Sequence, residues 1–90
     1  MGVSFFSDKD NLEGIALHLG RGDWKAAREI QGLDYILSQM SPLMRNAVEW
    51  TIDGLSVAKI AKMLGKKPST VSVTLHKAKR FIFSYLDSWH

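Results

Sequence analysis

Residues 54–80, GLSVAKIAKMLGKKPSTVSVTLHKAKR, decide the fold of this chain. Apolar residues recur at helical spacing after Ser56, a good N-cap, which predicts a helix over about 57–64. Gly65 follows as a left-handed stop. Pro68 then marks the start of another helix, because proline is tolerated in the first helical turn. The stretch therefore predicts two helices joined by a tight glycine turn.

Charge divides the chain into two unlike parts. Residues 54–90 carry seven Lys or Arg and one acidic residue, a net charge of +6, whereas residues 1–53 carry five basic and eight acidic residues, a net charge of −3. From position 54 to position 86 every charged group is positive. Such an excess indicates a polyanionic partner, and its combination with a helix pair indicates double-stranded DNA.

Composition excludes several other classes of protein. A length of 90 residues with 46% hydrophobic and 23% charged side chains is typical of one globular domain. The chain has no cysteine, which excludes a disulfide framework and a cysteine-based zinc site. No apolar run reaches the ~18 residues of a membrane span, and the N-terminus does not resemble a signal peptide. We therefore expect a cytoplasmic protein that makes no membrane contact.

The remainder of the chain also favours helices, because no segment alternates apolar and polar residues as a strand would. Three helices are expected before the basic part: from Asp8 or Asp10 to about Leu19, from Asp23 to about Met40 with a candidate break at Gly32, and from Ser41-Pro42 to about Asp53-Gly54. The buried stripe of the second is expected to contain Trp24, Ala27, Ile30, Leu33, Leu37 and Met40. The predicted fold is all-α, with about five helices. We expect one domain over 1–90, with N-terminal helices in 1–40 and the helix-turn-helix in 41–90.

The helix that begins at Pro68, and is expected to end near Asp87, has two different sides. At about 100° per residue, its core side holds Val71, Leu75, Ala78, Ile82, Tyr85 and Trp89. Its outward side holds Ser69, Val73, His76 and Arg80, flanked by Ser72, Lys77 and Ser84. Small side chains near its start would let the helix approach base edges in a major groove about 12 Å wide.

Segment 54–80 resembles the helix-turn-helix of region 4 in sigma-70-family transcription initiation factors, especially the extracytoplasmic-function type. It resembles the C-terminal DNA-binding domain of LuxR-type regulators nearly as much. The resemblance covers about residues 41–86, and it is carried by Gly54-Leu55-Ser56, Ile60-Ala61, Leu64-Gly65, Ser69-Thr70-Val71 and Leu75-His76-Lys77-Ala78-Lys79-Arg80.

Two positions depart from the pattern of both families. Lys66 replaces the usual aliphatic residue after the turn, and Lys67 replaces the usual Ser or Thr cap of the recognition helix. Their charges suit phosphates but lie beside the positive end of a helix dipole. Residues 1–38 resemble neither the promoter-melting region of a sigma factor nor a receiver domain. The resemblance therefore implies a stand-alone region-4-like module with its own N-terminal helices.

The pattern and the resemblance together nominate the functional residues. Candidate DNA contacts are Ser56, Lys66, Lys67, Ser69, Thr70, Ser72, Val73, His76, Lys77, Lys79 and Arg80. A candidate protein interface contains Phe81, Phe83 and Trp89, because Phe83 is expected to lie off the buried stripe. No catalytic constellation, metal site or cofactor motif is found, so we expect no enzyme.

Three functions remain open at this point. The leading one is a sequence-specific, double-stranded DNA-binding transcription regulator with helix 68–86 in the major groove. A second is a sigma-region-4-like adaptor that binds RNA polymerase or a sigma factor, and a third is a viral or mobile-element DNA-handling protein. The LuxR-type resemblance implies a homodimer formed through the C-terminal helix, whereas the sigma-type resemblance implies a monomer.

Overall fold

The computed structural model describes residues 14–87, and this part of the chain is helical without a strand. Helix α1 covers residues 14–20 of the described part. The elements that follow are a 3-10 helix (Trp24–Glu29), α2 (Leu33–Ser38), α3 (Pro42–Ile52), α4 (Val57–Leu64) and α5 (Pro68–Asp87). The predicted all-α fold is confirmed. The caps expected at Asp8 or Asp10, and Trp89, lie outside the described residues.

Helices α3 and α4 begin at the predicted caps. The Ser41 hydroxyl oxygen accepts a hydrogen bond from the Met44 N–H at 3.3 Å, and Ser56 accepts one from the Lys59 N–H at 3.2 Å. Each cap satisfies a backbone donor that has no partner inside its helix. The two limits were predictable because they depend on a few adjacent residues.

The turn after α4 has the geometry that its glycine predicts. Gly65 has φ 66° and ψ 33°, in the left-handed region. The Lys66 N–H donates to the Ala61 carbonyl at 2.9 Å, and the Gly65 N–H donates to the Lys62 carbonyl at 3.3 Å. These two bonds close the helix C-terminus in a Schellman arrangement. They also fix the direction in which the chain leaves α4 for α5.

The helix expected from Asp23 to about Met40 is divided near the candidate break at Gly32, and its first part is a 3-10 helix and not the expected α-helix. A 3-10 helix ends at Glu29, Ile30 is extended (ψ 121°), and Gly32 has φ 81° before α2 begins. Asp23 makes no side-chain capping hydrogen bond. The break changes the helical register, so Ile36 and Leu37 are both buried while Leu33 is only partly buried.

One cluster of apolar side chains connects the described elements. Its six largest fully buried members come from α1 to α5, and they are Leu19, Ile36, Val48, Ile60, Val71 and Ile82. Helices α3 and α4 both pack on α5, and the 3-10 helix packs on α3. Ala61, a small side chain on α4, is 3% exposed and belongs to this core. This core holds α5 on one side and leaves its other side to solvent.

Arg28 joins the 3-10 helix to the end of α3. Its Nη2 donates to the Ile52 carbonyl at 3.3 Å and to Asp53 Oδ1 at 3.1 Å. A guanidinium at a helix C-terminus also complements the negative end of the helix dipole. Because both side chains are more than half exposed, the ion pair itself contributes at most about 1 kcal/mol.

Candidate nucleic-acid interface

The outward face of α5, defined as Ser69, Ser72, Val73, His76, Lys77 and Arg80, is exposed along its whole length. The opposite side is buried and contains Val71, Leu75, Ala78, Ile82 and Leu86. The predicted division of this helix is therefore confirmed for those residues other than Leu86. A helix supported on one side and bare on the other can enter a groove without disturbing its core.

The turn and α4, which precede α5, also carry exposed positive charge. Lys66 and Lys67 are exposed at the turn, and Lys59 and Lys62 are exposed on α4. No acidic residue occurs between positions 54 and 86. The basic side chains therefore meet no carboxylate from their own segment, and their field adds up over the turn and α5.

Two hydroxyl residues among the candidates have local roles in the free protein. Ser56 is exposed at the start of α4, where its oxygen is engaged in the cap. Thr70 is exposed, and its carbonyl accepts a hydrogen bond from the Thr74 hydroxyl at 2.8 Å. The Thr70 N–H donates to the Lys67 carbonyl at 3.0 Å, which makes Lys67 the residue preceding the helix proper. A capping hydroxyl can still donate its own proton to a phosphate.

Lys79, which the sequence named as a candidate DNA contact, does not belong to the outward face. Its side chain is only partly exposed, and its Nζ lies 5.8 Å from the centroid of the Trp24 ring. The distance permits a cation–π contact. The physical reason is position, since Lys79 follows the buried Ala78 and so borders the core side of α5. Lys79 therefore connects α5 to the 3-10 helix.

Phe83 is also placed differently from the prediction. It is partly buried and packs against the core cluster. It lies on the same side of α5 as Lys79, one helical turn after it. Phe81 is 37% exposed, so it is the part of the predicted aromatic interface that the described residues leave accessible. Leu86, which the helical-angle argument did not place in the core, is 8% exposed.

Comparison with models of protein families identifies the family of this chain. A family model described as sigma-70, region 4 matches residues 30–82. This chain belongs to the sigma-70 region 4 family. The match makes it a DNA-binding helix-turn-helix domain linked to transcription. It also begins earlier than the resemblance in the sequence, at Ile30 rather than near position 41, so α2 is part of the family segment.

The other comparisons add no relative of this region 4 domain. No curated protein and no solved structure matched the chain. Within residues 14–87, no three or more His, Asp or Glu side chains are grouped so that they could hold a metal ion. Over the same residues, none of the helices is both long enough and apolar enough to cross a membrane.

Proposed function

We propose that this region 4 domain is a sequence-specific regulator of transcription that places α5 in the major groove of double-stranded DNA. The observation that carries the proposal is the outward face of α5, which is exposed, small near its start and bordered by basic side chains that meet no acid from their own segment. Ser69, Ser72 and His76 offer hydrogen-bonding groups to base edges. The proposed place of action is the cytoplasm.

The phosphate contacts come from a separate set of residues. Six basic side chains are exposed after position 54, and they are Lys59, Lys62, Lys66, Lys67, Lys77 and Arg80. They lie on α4, the turn and α5, whose directions differ, so about half of them can face the DNA backbone at once. Each neutralised phosphate contributes about 0.9 to the slope of log K against log salt. The expected slope is therefore roughly −3 per bound protomer.

Fluorescence anisotropy with a labelled duplex, repeated from low to moderate salt, tests the proposal. The variant Lys66→Met with Lys67→Met removes two charges from the turn and should make the slope shallower by up to about 1.8. Lys25→Met is the matched control, because Lys25 is an exposed lysine on the 3-10 helix and lies outside residues 54–80 in the sequence. A slope near zero for the unmodified chain, or equal effects of the turn and control variants, would contradict the proposal.

A second candidate is an adaptor that binds RNA polymerase or a sigma factor. Membership of the region 4 family supports it, since sigma region 4 domains bind both DNA and the polymerase core. Gel filtration of the purified chain with polymerase core, without nucleic acid, tests this function directly. Co-elution that persists after nuclease treatment, combined with salt-independent and weak duplex binding, would favour the adaptor over the regulator.

Homodimer formation is part of the first proposal. A lone helix-turn-helix contacts few base pairs, and two copies spaced about 34 Å apart would contact two half-sites. Because Phe83 packs internally, a dimer surface on α5 would depend on Phe81 among the described aromatic residues. Sedimentation equilibrium on and off DNA measures this, and a monomer under both conditions would remove the dimer from the proposal.

A further inference from the structure

Val73 differs from every neighbour on the outward face. Its side chain is 54% exposed and takes no part in the core cluster. The residues beside it on that face are polar, and they include Ser69, Ser72, His76 and Lys77. Valine is also a weaker helix former than alanine, lysine or glutamine. Neither core packing nor helix formation therefore accounts for valine at this position.

The chemistry of the major groove limits what an aliphatic side chain can recognise there. Base edges in that groove present hydrogen-bond donors and acceptors, with the C5 methyl of thymine as the apolar group. An aliphatic group placed on a donor or acceptor removes water without replacing its hydrogen bond, which is unfavourable. We infer that Val73 packs against the C5 methyl of a thymine and selects for it; this inference rests on the proposed entry of α5 into the major groove.

The position and shape of Val73 suit such a contact. It lies in the second turn of α5, next to the small side chains of Ser69 and Ser72, so the start of the helix can come close to the base pairs. In a helix, valine holds one χ1 rotamer most of the time, so its two methyls are already oriented. Residues 68–79 contain no Asn or Gln, the side chains that pair with adenine through two hydrogen bonds. An A·T pair facing this turn is therefore recognised through its thymine.

Deoxyuridine is the direct probe, because it differs from thymidine only by the missing C5 methyl. A duplex obtained by binding-site selection is prepared with each thymidine replaced singly by deoxyuridine, and its affinity is measured at fixed salt. At one position the wild-type protein should bind about fourfold more weakly, the factor expected for one methyl-sized apolar group. Replacements elsewhere should leave affinity unchanged.

Variants of Val73 test whether the weaker binding to the deoxyuridine duplex comes from the valine side chain. For Val73→Ala, the thymidine-to-deoxyuridine affinity ratio at the sensitive position should fall to about one, while Val73→Thr, which keeps one methyl, should retain part of it. Met63→Ala is the matched control, because Met63 is an exposed apolar side chain on α4, 49% accessible. It should keep the wild-type ratio. Circular dichroism checks that each variant remains helical.

The outcomes separate this inference from the proposed function. If salt-sensitive duplex binding is present but no deoxyuridine weakens it, or Val73→Ala keeps the full wild-type ratio, the thymine contact is wrong and the regulator proposal stands. If the wild-type protein binds no duplex, both fail. Loss of the ratio in Val73→Ala but not in Met63→Ala establishes the contact.

Discussion

Replacing Gly65 with alanine tests how much of the helix-turn-helix depends on one backbone conformation. Gly65 has φ 66°, and a Cβ built at this position would have nothing within 4 Å. The cost therefore comes from the left-handed conformation alone and amounts to about 1–2 kcal/mol. For a domain of this size, each kcal/mol lowers the melting temperature by roughly 4–8 °C.

Gly20 provides the control for that change. A Cβ at Gly20 also has nothing within 4 Å, but Gly20 lies in α1 without a positive φ. Gly20→Ala should therefore be neutral or stabilise the fold by a few tenths of a kcal/mol. Gly65→Asn should cost less than Gly65→Ala, because asparagine tolerates the left-handed region better.

Urea unfolding followed by circular dichroism gives the free energies for these variants. Equal stabilities of Gly65→Ala and Gly20→Ala would refute the conformational argument. Duplex affinity, measured well below the unfolding midpoint, adds a second observable. A Gly65→Ala protein that stays folded but binds more weakly would show that the turn also orients α5 toward DNA.

Four further substitutions, two of them compared with each other, test separate parts of the structure. Ser56→Ala should lower the free energy of unfolding by about 1 kcal/mol, because the cap to Lys59 is lost, as urea unfolding will show. Lys79→Met should alter tryptophan fluorescence through Trp24 and leave the salt slope of DNA binding unchanged. Lys67→Met should make that slope shallower by about 0.9. Identical slopes for the two variants would contradict their different placements. Phe81→Ala should shift any dimer found by sedimentation equilibrium toward monomer, and an unchanged dimer would exclude Phe81 from its interface.

The first residues of α3, α4 and α5 and the end of α4 could be predicted because local stereochemistry sets them. A serine cap, a proline in the first turn and a left-handed glycine act on their immediate neighbours, whatever the rest of the chain does. The outward face of α5 was predictable for a similar reason, since a long helix with one apolar stripe exposes the opposite side. These elements contain most of the candidate site.

The N-terminal part was less predictable because tertiary packing decides it. Whether residues 24–29 form an α-helix or a 3-10 helix depends on the burial of Trp24 and Ala27 and on the bonds of Arg28 to the end of α3. Tertiary packing also decides the exposure of Lys79 and Phe83, because Lys79 Nζ lies over the Trp24 ring and Phe83 packs against the core cluster. Both lie beside the core stripe of α5, where a helical angle alone cannot tell whether another element covers them.

Because its charge is unevenly distributed, the molecule has a preferred orientation in an external electric field. Over residues 21–34 the exposed carboxylates of Asp23, Glu29 and Asp34 are balanced by exposed Arg21, Lys25 and Arg28, while the exposed basic side chains of α4, the turn and α5 have no acidic neighbour in their own segment. In the electric field of a polyanion, this uneven charge experiences a torque that turns α4, the turn and α5 toward the polyanion before contact is made. A larger fraction of encounters then begins with α5 leading, so the association rate gains more than the net charge of +3 would suggest.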